Sequence, residues 1–291
     1  MQAHLSTGDV VEAEADWRTL NRANWDERVA IHMRAGAYDL GPLRDGRGRL
    51  NAIEEAEVGP VGGLRVLHLQ CHFGKDTLTL AQRGADVVGL DFSGPAIAAA
   101  RELAKELRLD ARARFVAADL YDAPAAIPDA HAFDLVYVTW GALCWLPDVR
   151  RWAQVVAHFL KPGGRLYLAD GHPSAFVLDD EVKRSDGMPG LLVPYFRREP
   201  LLFDNPSDYA DAEARLQNSR TYQWAHPLGE IVTSVIEAGL SLDWLHEHDG
   251  VPWRMYSILR PDEQGMYRWP EQPWLPLAFS LMATRHNPRG A

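Results

Sequence analysis

The chain has 291 residues, 47% of them hydrophobic and 24% charged, which is typical of a folded globular protein and excludes a disordered one. Its formal net charge of −10 argues against a nucleic-acid partner, because such binding needs clustered Lys and Arg residues that displace counterions from the phosphates. No apolar run approaches the ~20 residues that cross a bilayer, and the first residues do not resemble a signal peptide. The two cysteines suggest a reducing environment. We therefore expect a cytoplasmic protein without a membrane partner.

The first 60 residues are predicted to form a helical lid segment. Residues 21–40 have the three- and four-residue spacing of an amphipathic helix, and the side chains that create it are Trp25, Val29, His32 and Met33. Residues 1–15 are small and acidic and indicate a frayed end, whereas residues 50–59 can form a short helix against the first strand.

Residues 64–91 read LRVLHLQCHFGKDTLTLAQRGADVVGLD and have the layout of a nucleotide-binding βαβ unit. A short apolar run enters a loop that ends in Gly74, a helix-like run follows, and a second apolar run stops on Asp91. A carboxylate at the end of this strand can accept hydrogen bonds from both hydroxyl groups of a ribose. The spacing therefore predicts that Asp91 binds a nucleoside.

The composition of the loop in this unit limits which class of ligand can bind. A dinucleotide fold needs three glycines so that the backbone can approach a pyrophosphate, but Gln70 and His72 stand at the first two of these positions and only Gly74 is a glycine. A ligand without phosphate groups tolerates these side chains better. If that ligand carries an amino-acid end, Gln70 or His72 could supply hydrogen bonds to it.

At this motif the sequence resembles the class I S-adenosylmethionine-dependent methyltransferases, whose first motif usually reads like VLDLGCGTG and here reads VLHLQCHFG. Further segments follow in the order of that family, namely the third strand (111–122), the fourth strand and its loop (132–148), the turn and strand of the fifth unit (160–173), and antiparallel sixth and seventh strands (241–249 and 276–286). The resemblance covers residues 60–170 densely and 226–286 more loosely. It implies a Rossmann-like, doubly wound α/β fold with a seven-stranded sheet whose last strand is antiparallel.

The resemblance also implies S-adenosylmethionine as the cofactor, bound at the carboxyl ends of the strands. In this family, the positions that follow the third strand contact the adenine, the loop after the fourth strand lies where donor and acceptor meet, and an N-terminal helix often covers the cofactor. Together with the loop composition, this predicts the following cofactor-binding residues: Trp25, His32, Gln70, His72, Gly74, Asp91, Phe92, Asp119, Leu120, Thr139, Trp140 and Gly141.

Residues 173–225 interrupt the α/β pattern with five prolines and many aromatic residues, too long a stretch for a plain connection. We therefore expect an inserted cap over the site. The predicted organisation is a lid segment (1–60), a methyltransferase core (61–172 and 226–291) and a cap (173–225).

Some of these residues also have an ordinary structural interpretation. Asp91 could cap the helix that Ser93 and Pro95 begin. Trp140 and Trp145 could both pack in the core, an interpretation that suits Trp145 better than Trp140.

A metal site is a further possibility that the sequence disfavours. His68, Cys71 and His72 superficially resemble a ligand cluster, but His68 lies in a strand from which the other two side chains would diverge. The pattern favours His68 as a hydrogen-bonded interior histidine and no metal.

The predicted function is transfer of a methyl group to a small molecule, by in-line displacement in an aromatic-lined pocket. Such a reaction needs a base only if the acceptor must lose a proton, and the candidates are His172 and His226, because histidine titrates in the useful range. Two alternatives stay open: a nucleotide-dependent oxidoreductase on a Rossmann core, and a non-catalytic sensor that binds the cofactor. We expect a monomer or a homodimer.

Overall fold

The computed structural model describes residues 13–34, 38–211 and 213–286. The N-terminal segment contains helices α1 (Ala13–His32), α2 (Gly41–Arg44) and α3 (Ala52–Glu57). Helix α1 begins before the predicted range of 21–40 and ends at His32, so the prediction was wrong at both ends, and residues 35–37 within that range lie outside the described residues. Of the end predicted to fray, residues 1–12 also lie outside them. The short helix predicted within 50–59 is confirmed as α3.

The central part of the chain alternates strands and helices. Its elements are β1 (Arg65–Leu69), α4 (Lys75–Gln82), β2 (Asp86–Asp91), α5 (Gly94–Glu106), β3 (Ala113–Ala117), α6 (Ala123–Ala126), β4 (Phe133–Thr139), α7 (Val149–Phe159) and β5 (Leu160–Gly171). Helix α5 begins after Ser93, whose side chain accepts a hydrogen bond from the backbone of Ala96, and α7 begins after Asp148 in the same way. Strands β1 and β2 are buried along nearly their whole length, as expected for parallel strands covered on both faces.

The chain closes the core with α8 (Leu228–Glu237), β10 (Leu240–His248) and β14 (Ala278–Arg285). The seven-stranded sheet has the order β10-β14-β5-β4-β1-β2-β3, and β14 runs antiparallel to both of its neighbours. The predicted fold is thus confirmed. Only β14 is antiparallel to the first five strands, whereas β10 runs parallel to them, so the expectation of two antiparallel strands was wrong for the sixth.

The segment predicted as a cap contains two hairpins, formed by β6 (Leu178–Lys183) with β7 (Pro189–Leu191) and by β8 (Leu201–Asp204) with β9 (Arg220–Gln223). The second hairpin is fastened to α1. The Asn21 side chain donates to the Tyr222 carbonyl at 2.9 Å and accepts from the Tyr222 N–H at 2.8 Å, so the lid helix satisfies backbone groups of strand β9.

A second insertion separates β10 from β14. It forms a three-stranded sheet from β11 (Gly250–Val251), β12 (Arg260–Pro261) and β13 (Tyr267–Arg268). The prediction assigned these residues to the core and missed the insertion. The insertion has a small core of its own in which Val251, Tyr256, Leu259 and Met266 are buried. Among the described residues of the whole chain, no helix is long and apolar enough to cross a membrane.

The packing of the loop after β1 against the core can be tested at Gly74. Its backbone is left-handed (φ +80°), and an added Cβ would lie 2.7 Å from the ring of Phe115, which is buried. Gly74→Ala should lower the free energy of unfolding by about 2–4 kcal/mol, because backbone strain adds to overpacking. Urea denaturation measures the loss.

The matched control is Gly46→Ala, where φ is +73° but nothing lies within 4 Å of an added Cβ. This variant should lose only the backbone part, about 1–2 kcal/mol. Equal losses in the two variants would contradict the proposed clash at Phe115.

Candidate cofactor and substrate site

A cavity of about 920 Å³ opens at the carboxyl ends of β1, β2, β4 and β5, between the core, helix α1 and the two insertions. Its volume is within the usual range for a small-molecule site and near the upper end. The sequence-predicted residues that line it are Trp25, Gln70, His72, Gly74, Asp91, Phe92, Asp119, Leu120, Thr139, Trp140, Gly141 and His226. The predicted residues that do not line it are His32 and His172.

The loop after β1 keeps a glycine-like backbone although two of the glycines are missing. Gln70, His72 and Gly74 have φ angles of 57°, 50° and 80°, all in the left-handed region. Two hydrogen bonds hold the strained residues: Gln70 Nε2 donates to the Ala142 carbonyl at 2.9 Å, and the His72 N–H donates to Asp91 at 2.8 Å. The side chains of Gln70 and His72 therefore occupy space that glycines would leave open.

Asp91 connects the loop to the end of β2. One oxygen accepts the His72 N–H at 2.8 Å, and the other accepts the Ser93 N–H at 2.9 Å at the start of α5. Burial raises the pKa of this carboxyl group to about 6. Asp91 thus lines the cavity and holds the backbone of Ser93, which is the residue that caps α5.

Asp119 and Leu120 lie beyond the end of β3. Asp119 begins the short 3₁₀ helix Leu120–Asp122, where it accepts the Tyr121 N–H at 2.9 Å, and it forms an ion pair with Arg18 of α1 at 3.1 Å. The lid helix thereby contacts the side of the cavity formed by β3.

Asp170 shapes the loop after β4 and was missed by the sequence analysis. Its buried carboxylate accepts backbone N–H groups of Gly141 (2.6 Å), Ala142 (3.1 Å), Leu143 (3.0 Å) and Gly171 (2.7 Å). A carboxylate at the end of β5, in the same position as Asp91 at the end of β2, was the signal that could have identified it.

Glu54 of α3 was also missed. It is fully buried, and its Oε1 accepts hydrogen bonds from Trp140 Nε1 at 2.6 Å and from the Tyr137 hydroxyl at 3.2 Å. Burial and the nearby Asp76 raise the pKa of Glu54 to about 8. This acid fixes the indole of Trp140 at the cavity wall.

His68 is an interior histidine, as expected. Its Nδ1 lies 2.8 Å from the Thr77 hydroxyl, and burial lowers its pKa to about 4. Within the described parts of the chain, no group of three or more His, Cys, Asp and Glu side chains is arranged to hold a metal ion.

His32 lies behind His72 rather than at the cavity, so its predicted lining role was wrong. It is fully buried, with Nδ1 at 2.8 Å from His72 Nε2 and with Nε2 at 3.1 and 3.2 Å from the two oxygens of Asp208 in the cap. Asp208 also accepts from Arg28 of α1 at 2.7 Å. A continuous buried chain of polar groups therefore links the segment 173–225 and helix α1 to the loop after β1.

The two base candidates have different surroundings. The ring of His172 packs against Phe279, and its nitrogens lie 2.7 Å from the Ser174 hydroxyl and 3.0 Å from Glu247, away from the cavity. His226 lines the cavity, and its Nε2 lies 2.7 Å from the Leu146 carbonyl, which can only accept. Nε2 therefore carries the proton, and Nδ1 of the neutral ring is an acceptor. Burial lowers the pKa of His226, which favours this neutral form.

Aromatic side chains form much of the remaining wall. Trp25 meets the edge of Trp145 with ring centroids 5.3 Å apart, so Trp145 lines the cavity rather than packing only in the core. Trp140 contacts Trp253 at 6.0 Å, and Tyr256 joins the wall from the same insertion. Trp253 and Tyr256 belong to no recognisable sequence motif. They reach the cavity wall only because the folded chain brings the second insertion next to the core.

Comparison with known proteins gives consistent results. Residues 66–164 match the protein family described as a methyltransferase domain. The demethylmenaquinone methyltransferase of Clavibacter sepedonicus is 35% identical over 39% of this chain and 43% of its own length. The ubiquinone biosynthesis O-methyltransferase of Leptothrix cholodnii is 30% identical over 48% of this chain and 57% of its own length. The chain thus spans about half the length of these curated relatives.

A solved structure shares the fold. The S-adenosylmethionine-dependent methyltransferase from Mesorhizobium loti superposes with a TM-score of 0.56 at 22% identity, over 80% of this chain and 96% of that one. The family match covers the loop after β1 and the ends of β2 and β4, which contribute to the cavity, but not the end of β5. Residues 66–164 are thus similar to a methyltransferase domain, and the chain has the fold of a solved S-adenosylmethionine-dependent methyltransferase.

Proposed function

We propose that this protein transfers the methyl group of S-adenosylmethionine to a small-molecule acceptor. The observation that carries the proposal is a single cavity that has residues of the cofactor motifs on one side and aromatic residues of the two insertions on the other. A methyl transfer needs both ligands in one water-excluding space, held in line.

The residues on the side of the cavity that the core strands form fit S-adenosylmethionine. Asp91 stands where the family binds the ribose. Its carboxylate has about four acceptor sites and accepts the backbone N–H groups of His72, Ser93 and Phe92, so that it keeps acceptor capacity for a hydroxyl group. Asp119 and Leu120 would hold the adenine. Gln70 and His72 line the same cavity and would lie beside the methionine end.

The side of the cavity that the two insertions form suits a methyl acceptor that is largely apolar or flat. Trp253, Tyr256, Tyr195, Phe203 and Trp224 all line it. Two relatives are named for small-molecule reactions, one on demethylmenaquinone and one in ubiquinone biosynthesis, which supports the same substrate class. The net charge of −10 supports a small acceptor over a nucleic acid. A cytoplasmic monomer or homodimer is part of this proposal.

The bound cofactor supplies a methyl group that is already activated, so the work of the protein is to position, to exclude water and to receive a proton. Of the two predicted bases we retain His226. Its Nε2–H is fixed on the Leu146 carbonyl, which leaves Nδ1 as the basic atom of this cavity residue.

The direct test is to titrate the protein with S-adenosylhomocysteine and, separately, with NAD, and then to screen acceptors with methyl-labelled S-adenosylmethionine. S-adenosylhomocysteine should bind, NAD should not, and an aromatic or apolar acceptor should take up label. Binding of NAD alone would refute the proposal in favour of an oxidoreductase, and cofactor binding without transfer to any acceptor would indicate a sensor.

Asp91→Asn should weaken S-adenosylhomocysteine by ~2–3 kcal/mol, about 30- to 150-fold, because a charge-assisted contact to the ribose is lost. Since the raised pKa of Asp91 is about 6, the wild-type affinity should also fall as the pH drops through that value and the carboxylate takes up a proton. The variant should lack this dependence. Calorimetry at several pH values measures both, and unchanged affinity in the variant would show that Asp91 has only a structural role.

His226→Gln keeps a side-chain donor for the Leu146 carbonyl but has no basic nitrogen. With an acceptor that loses a proton, kcat should fall by about 10²- to 10⁴-fold while the affinity for S-adenosylhomocysteine stays unchanged. A parallel loss of cofactor affinity would indicate a structural role instead.

A further inference from the structure

Three aromatic rings from separate parts of the chain meet at the end of β5 and line the cavity. Trp140 follows β4, Phe176 lies in the segment 173–225, and Trp253 belongs to the second insertion. The rings of Trp140 and Trp253 contact edge to face, with centroids 6.0 Å apart and planes at 73°. Gly171 leaves room for this arrangement, because an added Cβ would lie 2.7 Å from the Phe176 ring and 3.2 Å from the Trp253 ring. We refer to these three rings as the aromatic corner.

The backbone of Trp140 is strained. Its φ angle is +52°, in the left-handed region that a bulky side chain rarely adopts. Its N–H donates to the Ala169 carbonyl at 2.8 Å, and the next three N–H groups donate to the Asp170 carboxylate. Such conformations persist where surrounding contacts hold them, and they cluster at binding and catalytic sites. The strain therefore directs attention to what the side chain of Trp140 does.

Glu54 of α3 sets the orientation of this side chain. Trp140 Nε1 donates to Glu54 Oε1 at 2.6 Å, and the same oxygen accepts from the Tyr137 hydroxyl at 3.2 Å and from Asn51 Nδ2 at 3.3 Å. Glu54 is fully buried and does not line the cavity, so the N–H edge of the indole points into the protein. An indole has no other polar group, and Trp140 consequently offers the cavity an apolar π surface.

The burial of Glu54 is costly and needs an explanation. Burial and the nearby Asp76 raise the pKa of Glu54 to about 8, so the acid is neutral at neutral pH. With three donors on Oε1, the proton of the neutral acid is on Oε2, which has no hydrogen-bond partner within the described residues. An apolar side chain at position 54 would remove this unsatisfied group but would leave the indole N–H without an acceptor. Orientation of Trp140 accounts for the acid.

We infer that the aromatic corner binds a planar, conjugated part of the methyl acceptor, and that Glu54 is a positioning residue that acts through Trp140. The inference rests on the proposed function and narrows its acceptor from apolar or flat to planar. Rigid aromatic walls favour such a ring because π systems stack in offset or edge-to-face geometries, whereas a saturated ring gains from apolar burial alone. The side chain of Trp140 is thereby assigned to the acceptor, whereas the sequence analysis placed it with the cofactor.

The binding test uses protein saturated with S-adenosylhomocysteine and two probes, 2-naphthol and decahydro-2-naphthol. The probes share a carbon skeleton and a hydroxyl group, but the first alone is planar. Calorimetry should show that the wild type binds 2-naphthol about three- to tenfold more tightly, although the saturated probe is the more apolar of the two. Trp140→Leu should lose most of this preference. Equal or tighter binding of decahydro-2-naphthol by the wild type, or no binding of 2-naphthol, would overturn the inference.

The role of Glu54 is tested by Glu54→Met, which has a similar length but no acceptor. This variant should lose most of the preference for 2-naphthol while its affinity for S-adenosylhomocysteine stays unchanged. Glu54→Gln keeps the acceptor at Oε1 and should retain the preference. In the Trp140→Leu background, Glu54→Met should cause no further loss, because the acid acts through the indole. An undiminished preference in Glu54→Met would overturn the role of Glu54.

The matched control is Glu57→Gln in the same helix. Glu57 accepts from the Tyr167 hydroxyl at 2.9 Å and from the Ser280 hydroxyl at 3.0 Å, and it does not line the cavity. The control should keep the preference for 2-naphthol, and a loss equal to that of Glu54→Met would overturn the inference in favour of a general loosening of α3. If the wild type does not bind S-adenosylhomocysteine, the proposed function itself fails. If it binds S-adenosylhomocysteine but does not prefer 2-naphthol, the inference alone fails.

A second readout does not depend on ligands. In ¹⁵N–¹H spectra of tryptophan-labelled protein, the indole proton of Trp140 should resonate downfield of that of Trp152, whose buried Nε1 has no hydrogen-bond partner in the described parts of the chain. Glu54→Met should move the Trp140 signal upfield, and Glu57→Gln should not. If Glu54→Met does not fold, Glu54→Asp withdraws the acceptor by one methylene group and takes its place. A Trp140 signal at or upfield of that of Trp152 in the wild type would overturn the inference.

Discussion

The hydrogen bond from the His72 N–H to the Asp91 carboxylate is the interaction on which the site depends. The loop between β1 and α4 contains three left-handed residues, and only one of them is a glycine. A non-glycine residue adopts this conformation at a cost, which the surrounding contacts must offset. Asp91 supplies one such contact from the neighbouring strand and also begins helix α5 through Ser93, so a single buried acid sets the loop and the adjacent helix.

A second buried acid at a strand end holds the loop after β4 in the same way. Asp170 at the end of β5 collects four backbone N–H groups, and three of them belong to the loop after β4. Burial disfavours a charge, and backbone hydrogen bonds offset only part of this effect at both acids, whose pKa values stay raised. The two cavity loops are therefore held by carboxylates at strand ends. The segment 173–225 and helix α1 reach the loop after β1 through Asp208, Arg28 and His32.

The local parts of this architecture could be predicted from sequence, and the long-range parts could not. The unit from β1 to β2 repeats apolar residues with clear strand and helix periods, which made Gly74 and Asp91 identifiable. His32 sits at the correct helical spacing to face inward, but whether it meets the cavity or the back of His72 depends on Asp208, which lies 176 residues further on. The short strands of the second insertion have too little periodicity to distinguish them from loops, and its Trp253 was missed for that reason.

The most direct measurement is a crystal structure of the protein with S-adenosylhomocysteine bound. The account predicts that the ribose hydroxyl groups lie on Asp91 and that the adenine lies beside Asp119 and Leu120. Density for the nucleoside away from the end of β2 would contradict it.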